Sequence, residues 1–161
     1  MDAVGAMELS PAECVNRLRS ASWGRVALSM QTIAMVIPVP VGVLGDRVVF
    51  ATTRGSTFDR AVQGQPISVQ AEGREPGPDG RELLWSVVVS GICLPDEPAL
   101  LPAGLLPSSD LAGVRAGVVA GAPERDRWNA VPFSLVQGWS APVPPRPAPL
   151  RRGHDGGAGA G

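Results

Sequence analysis

The feature that most restricts the fold is a series of five apolar runs, rich in valine, isoleucine and leucine, between residues 25 and 94. They are Arg25–Ser29, Ala34–Val43, Arg47–Thr52, Pro66–Glu72 and Glu82–Leu94. Runs of this length and composition, bounded by turn residues, are typical of β-strands joined in an antiparallel sheet. Between the second and third runs, Leu44-Gly45-Asp46 has the residues of a tight hairpin loop. The pattern therefore predicts a mainly β fold with short connections.

Two short helices are predicted beside the strands. The first is expected over Ser10–Ser20, because Ser10-Pro11-Ala12-Glu13 forms a capping box with proline at the first helical position. The second is expected over Gly55–Gln63, with Ser56 as its candidate N-cap. Both helices are short enough to pack on a sheet without forming a separate helical layer.

The remainder of the chain is predicted to contain a sixth strand, two irregular stretches and a tail. The strand is expected over Asn129–Gly138, and the glycine- and proline-rich Gly73–Gly80 is expected to be a surface loop. A weak helical pattern covers Asp110–Val119. From residue 140 the sequence becomes rich in proline and then glycine, which leaves too few apolar residues to bury. We therefore predict one domain over residues 1–139 and a disordered tail over 140–161.

Charge and hydropathy argue against nucleic-acid and membrane partners. All 14 basic residues are arginines, scattered along the chain and balanced by 15 acids, so no basic stripe exists to attract phosphate backbones. The N-terminus lacks the basic start and apolar run of a signal peptide. The longest apolar run, Ile33–Leu44, is too short to cross a bilayer core of about 30 Å as a helix. We expect a cytoplasmic protein.

Several kinds of enzyme site are excluded by residue type. The one histidine, His154, lies in the predicted tail, so no histidine base is available for a Ser-His-Asp or Cys-His arrangement. Cys14 and Cys93 are far apart in the chain and are expected to be buried thiols rather than a disulfide or redox pair. Zinc sites of the common kinds need histidine or clustered cysteine, and neither can be assembled. No phosphate-cradle motif is present, and no lysine exists to complete one. We predict no metal site and no catalytic side chain, which leaves either a cofactor-dependent protein or a binding module.

The order of several short motifs resembles a known family. After the capped helix, the motifs are Gly24-Arg25-Val26-Ala27, Pro38-Val39-Pro40-Val41, Gly45-Asp46-Arg47-Val48-Val49-Phe50, Gly55-Ser56 and Trp85-Ser86-Val87-Val88-Val89-Ser90-Gly91. In this order they resemble the pyridoxamine 5'-phosphate oxidase-like family of actinobacterial type. The resemblance implies a six-stranded antiparallel split barrel with short helices. It also implies a homodimer that holds FMN in the groove between its subunits.

The same resemblance implies a phosphate site at the end of the third strand. Thr52 and Ser56 would offer hydroxyl groups to the FMN phosphate, and Gly55 would allow its backbone to approach closely. Family members often carry basic residues where this chain has Ala51 and Thr57.

Two arginines nearby could replace the missing charge. Arg54 precedes the Gly-Ser pair, and Arg60 lies one helical turn after Ser56. Either could bind phosphate through two hydrogen bonds. The alternative is that both are solvated surface arginines and that Ser56 only caps a helix.

Two further segments are implied to face the flavin ring. The first is Pro38-Val39-Pro40-Val41, where a pattern such as Pro-Val-Asn-Tyr is common in similar proteins. Its prolines lack N–H groups, so contacts would fall on carbonyl oxygens and neighbouring strands. The second is Trp85 with Ser86. The alternative for the first segment is a proline-interrupted barrel edge, because prolines in a strand indicate an edge, a bulge or a place where the strand leaves its neighbour. The alternative for Trp85 is that it is part of the core.

These observations favour an FMN-binding protein, with flavin-dependent oxidoreductase chemistry on an unknown small-molecule substrate. Two alternatives stay open. One is a dimeric split barrel without a cofactor that acts as a binding or regulatory module, which the residues at positions 40, 41, 51 and 57 would suit. The other is a deazaflavin-dependent reductase.

Overall fold

Strands dominate the residues that the computed structural model describes, which are 6–95 and 127–144. The strands are β1 (Met7–Glu8), β2 (Trp23–Met30), β3 (Ile33–Leu44), β4 (Arg47–Thr52), β5 (Pro66–Pro76), β6 (Glu82–Ile92), β7 (Leu94–Pro95), β8 (Arg127–Pro132) and β9 (Leu135–Pro142). The helices are α1 (Pro11–Ser20) and α2 (Thr57–Val62). The predicted mainly β fold with short helices is therefore confirmed.

All strand pairs in the described residues are antiparallel. The strands form one sheet in the order β1-β9-β6-β5-β2-β3-β4-β8-β7. β6 also contacts β8, which is five places away in that order, so the sheet curls into a half-barrel. The described residues contain nine strands rather than the six predicted, so the split-barrel expectation fits only coarsely.

The extra strands have identifiable causes. The predicted strand Asn129–Gly138 is two strands, because a turn at Phe133 and Ser134 separates β8, which pairs with β4, from β9, which pairs with β6. The chain changes sheet edge at this turn. The other two additions, β1 and β7, have two residues each and pair at the ends of the sheet.

β3 joins the two parts of the curled sheet. Residues Ile33–Pro40 pair with β2, whereas Val41–Leu44 pair with β4. The exchange of partners follows Pro40 directly. Of the three interpretations of the prolines, an edge, a bulge or a departure from the neighbouring strand, the structure supports the departure at Pro40, whereas Pro38 stays paired with Arg25.

Two predicted boundaries were wrong. Gly73–Pro76, predicted as part of a loop, continues β5, because the side chain of Trp85 on β6 packs over Gly73 and keeps the two strands paired. Ser140, predicted as the first residue of the tail, lies within β9 and is buried. Ala141 and Pro142 of the predicted tail also belong to β9. The weak helical pattern over Asp110–Val119 and residues 145–161 of the predicted tail lie outside the described residues.

α1 covers one end of the core. Ser10 accepts a hydrogen bond from the backbone N–H of Glu13, whose carboxylate accepts one in return, so the predicted capping box is confirmed. The helix buries Cys14 and Leu18. A Cβ added to Gly138 of β9 would come within 2.6 Å of the Cys14 sulfur. The glycine therefore lets the helix approach the sheet closely.

No helix among residues 6–95 and 127–144 is long and apolar enough to cross a membrane. Within the same residues, no group of three histidine, cysteine, aspartate or glutamate side chains could hold a metal ion.

Candidate functional site

A gap in the sheet, which we call the split, opens between β3 and β4. Val41 pairs with Phe50, and beyond this pair the two strands separate. β3 continues along β2 towards Ile33, whereas β4 continues along β8 to Thr52. The split therefore has the Pro38–Val41 backbone on one side and the end of β4 on the other.

The end of β4 is followed by a turn over Thr53–Ser56, which leads into α2. The N–H of Ser56 donates to the carbonyl of Thr53 at 3.0 Å, and Gly55 has a φ of +74°, a conformation that favours glycine. The Ser56 hydroxyl accepts a hydrogen bond from the N–H of Asp59 at 3.0 Å. The predicted N-cap is confirmed, and a phosphate-binding role for Ser56 stays a prediction.

A buried carboxylate organises this turn. Asp59 is 1% exposed, and it accepts hydrogen bonds from the Thr52 hydroxyl at 2.7 Å and from the Gly55 N–H at 2.8 Å. The Arg127 guanidinium lies 3.3 Å from the same carboxylate. Asn129 donates to the Thr52 oxygen at 3.0 Å. We call these five residues the Asp59 cluster.

The cluster changes the proton affinity of two side chains. Burial acts to raise the pKa of Asp59, but hydrogen bonds from Thr52 and Gly55 and the charge of Arg127 outweigh it, so the net pKa lies below the ordinary 3.8. Burial and the nearby Asp59 charge raise the pKa of the Cys93 thiol to about 12. Asp59 is therefore ionised at neutral pH, whereas Cys93 is protonated and unreactive.

The residues predicted to bind the FMN phosphate lie together around this cluster. Some of their polar groups already form hydrogen bonds within the protein, and others are exposed. The Thr52 hydroxyl donates its one hydrogen bond to Asp59. The Arg60 guanidinium donates to the carbonyl of Gly55. Arg54 and Thr57 are both exposed.

The predicted ring-facing segment divides between core and surface. Val39 and Val41 are buried and belong to the main core. Pro38 is exposed and lies opposite Arg25 of β2. Polar groups beside this segment therefore come from its own carbonyls and from β2.

Trp85 and Ser86 point to opposite faces of β6, because side chains alternate along a strand. Trp85 is in the main core. Ser86 lies on the other face, where it accepts a hydrogen bond from the Gln70 side-chain amide at 3.0 Å. The structure therefore supports the core alternative for Trp85, and only Ser86 shares a face with Pro38 and Arg25.

Ser86 is part of a second polar group on that outer face. Gln70 accepts a hydrogen bond from Arg25 at 3.2 Å and donates to Glu72 at 3.1 Å. Arg25 also pairs with Glu72 at 3.0 Å. We call Arg25, Gln70, Glu72 and Ser86 the Glu72 cluster.

The sequence analysis missed Asp59, Arg127 and Asn129. The one available sequence signal was the position of Asp59, three residues after the predicted N-cap Ser56. At this position the Asp59 N–H donates to the Ser56 hydroxyl. Arg127 is 68 positions further along the chain and has no local motif. Only the pairing of β8 with β4 brings it beside Thr52.

Sequence comparison assigns the chain to a family. The family described as pyridoxamine 5'-phosphate oxidase matches residues 10–94, which is more than half of the chain. The chain therefore belongs to this family, and the resemblance drawn from the motifs is confirmed. A comparison with curated proteins gave no match.

Solved structures share the fold at low sequence identity. An FAD-binding protein from Mesorhizobium loti is 22% identical with a TM-score of 0.62, and the match covers 84% of this chain and 98% of that protein. An FAD-binding protein from Mycobacterium smegmatis is 19% identical with a TM-score of 0.58, covering 84% and 97%. An FAD- and heme-binding protein from the same organism is 15% identical with a TM-score of 0.63, covering 88% and 76%. At these identities the similarity shows the fold.

Proposed function

We propose that this chain binds a flavin at the split, with FMN as the cofactor, and that it supports oxidoreductase chemistry. The observation that carries the proposal is the split itself, which lies between the Pro38–Val41 backbone and the end of β4, where Arg54 of the turn and Arg60 of α2 follow. Membership of the pyridoxamine 5'-phosphate oxidase family and three similar structures described as FAD-binding support a flavin.

The chemistry of the donor groups suits a phosphate bound by guanidinium groups rather than by Thr52. The Thr52 hydroxyl and the Gly55 N–H are both satisfied by Asp59. Arg54 and Arg60 flank the turn at exposed positions. Guanidinium groups bind phosphate with paired, charge-assisted hydrogen bonds. The flavin phosphate therefore fits the donors present at this turn. Thr52 would act by shaping the turn.

The flavin ring would lie along the outer face near Pro38. Pro38 and Pro40 have no N–H to donate, so the backbone there offers carbonyl oxygens. Donors would come from the Glu72 cluster, in which Arg25 lies opposite Pro38. Hydrogen-bond donors beside a ring set its orientation and tune its electronic properties.

When bound, a flavin supplies hydride or electron transfer, and the protein supplies binding and orientation. Side chains of this chain would hold the phosphate, orient the ring and exclude water from one of its faces. Cys93, with its raised pKa, is protonated at neutral pH and offers no nucleophile.

A homodimer is part of the proposal. The outer face exposes large apolar side chains on three strands, including Trp23, Val36, Leu135 and Trp139. Exposed apolar patches rimmed by polar groups mark interaction sites. A second copy of the chain would cover these side chains and close the open side of the split.

Chromophore identification tests the proposal. The full chain is purified from cells, its mass in solution and visible spectrum are recorded, and any chromophore is released and identified. We expect a yellow dimer that releases FMN. Release of FAD would correct the cofactor and keep the flavin, whereas a deazaflavin would indicate the reductase alternative.

One observation favours a second candidate function, a dimeric module without a cofactor. Asp59 already satisfies two donors that a phosphate could have used. A colourless protein that takes up no added flavin would support this candidate and overturn the proposed function.

A further inference from the structure

Resting on the proposed flavin site, we propose that Arg127 is the residue that distinguishes a phosphorylated flavin from its unphosphorylated form. β4 ends at Ala51, which is fully buried and pairs with Trp128 of β8, and at Thr52. Arg127 precedes Trp128 on β8 and pairs with Thr52. Its guanidinium therefore brings a positive charge to the end of β4, where the strand itself has none.

The position of Arg127 is fixed by the turn that would hold the phosphate. One Asp59 oxygen accepts both the Gly55 N–H, at 2.8 Å, and the Arg127 Nη1, at 3.3 Å. A guanidinium and a backbone amide that share one acceptor atom lie side by side. Arg127 is therefore adjacent to the turn at Gly55.

Arg127 has N–H donors that its contact with Asp59 does not use. A guanidinium carries five N–H donors, and the Asp59 contact uses one side of it. Its Nε is buried and has no hydrogen-bond partner in the structure. The side chain as a whole is 26% exposed. The guanidinium is thus held by Asp59 inside the protein, while part of the side chain stays exposed to solvent, where an anion can approach it.

The charges around the turn favour the binding of a dianion such as the flavin phosphate. Asp59 is the only acid between residues 47 and 65, and it is 1% exposed, so it orients Arg127 without facing solvent. Arg54 and Arg60 lie on the exposed side of the same turn. A phosphate at the turn would therefore meet positive charge, while the one nearby acid is buried and paired with Arg127.

The test compares two ligands on three proteins. Wild type, Arg127→Gln and Arg81→Gln are freed of chromophore and titrated with FMN and with riboflavin, by following flavin fluorescence. We expect Arg127→Gln to weaken FMN binding by about tenfold or more, and riboflavin binding by less than about twofold, because a charge-assisted phosphate contact is lost. Arg81→Gln is the matched control, because it removes one positive charge from an exposed position outside the proposed site, and it should leave both affinities unchanged.

The ratio of the FMN affinity to the riboflavin affinity distinguishes a lost phosphate contact from misfolding. Partial unfolding of Arg127→Gln would lower both apparent affinities by the same factor and would leave their ratio unchanged. An unchanged ratio, with the folded fraction measured by circular dichroism, overturns the role of Arg127 while flavin binding stands. A wild type that binds neither ligand overturns the proposed function itself, together with this inference.

Discussion

The Asp59 cluster and the Glu72 cluster contain the same chemical groups at different depths. Each has an arginine, a carboxylate and a side-chain amide that come from two elements, α2 and β8 in the first cluster and β2 and β5 in the second. The Asp59 side chain is 2% exposed, whereas the side chains of Glu72 and Arg25 are 45% and 46% exposed. One cluster lies beneath the turn, and the other lies on the outer face of the sheet.

This difference in depth predicts different roles. A buried ion pair is expensive to break, because the remaining charge stays in a poorly solvated site. An exposed pair exchanges its partners for water at little cost. The Asp59 cluster should therefore fix the shape of the turn, whereas the Glu72 cluster is free to rearrange around a ligand.

The largest expected effect comes from Asp59→Asn. The amide has one acceptor oxygen where the carboxylate has two, so it cannot accept on one side from the Thr52 hydroxyl and on the other from the Gly55 N–H, and it leaves Arg127 without its counter-charge. We expect the free energy of unfolding to fall by about 3 kcal/mol, measured by urea denaturation. A loss below about 1 kcal/mol would contradict the assignment of Asp59 as the organiser of the turn.

A second expected effect is a dependence on pH that belongs to Asp59. Its pKa in the folded state lies below the ordinary 3.8, so the ionised form stabilises the fold. This contribution is complete above the unfolded-state value and is lost as the pH falls through the lower folded-state value. Unfolding free energies measured below about pH 4 should therefore fall more steeply in wild type than in Asp59→Asn. Equal slopes would contradict the pKa direction.

The smallest expected effect is that of Glu72→Gln, which serves as the matched control for Asp59→Asn. The same change of acid to amide on the exposed face should lower stability by only about 0.2–1 kcal/mol. A loss as large as that of Asp59→Asn would remove the distinction between the two clusters.

Local chemistry explains which parts of the fold could be predicted. The capping box at Ser10 and Glu13 and the N-cap at Ser56 depend on residues three positions apart, so sequence alone specifies them. The departure of β3 from β2 beside Pro40 depends on one missing N–H group. The family resemblance followed from such short motifs in the correct order.

The parts that were missed depend on contacts between distant residues. The division of Asn129–Gly138 into two strands is decided by which partner each half meets, β4 or β6. The same pairing brings Arg127 to Asp59, 68 positions away. Similarly, Trp85 could not be assigned to the core until the pairing of β6 with β5 placed it over Gly73.

The most direct test of flavin binding at the split is a titration of chromophore-free full-length protein with FMN, followed by visible absorption. We expect a saturable spectral change that ends at one FMN per chain. No spectral change up to about 1 mM FMN, where an interaction of only about 4 kcal/mol would already give half-saturation, would contradict it.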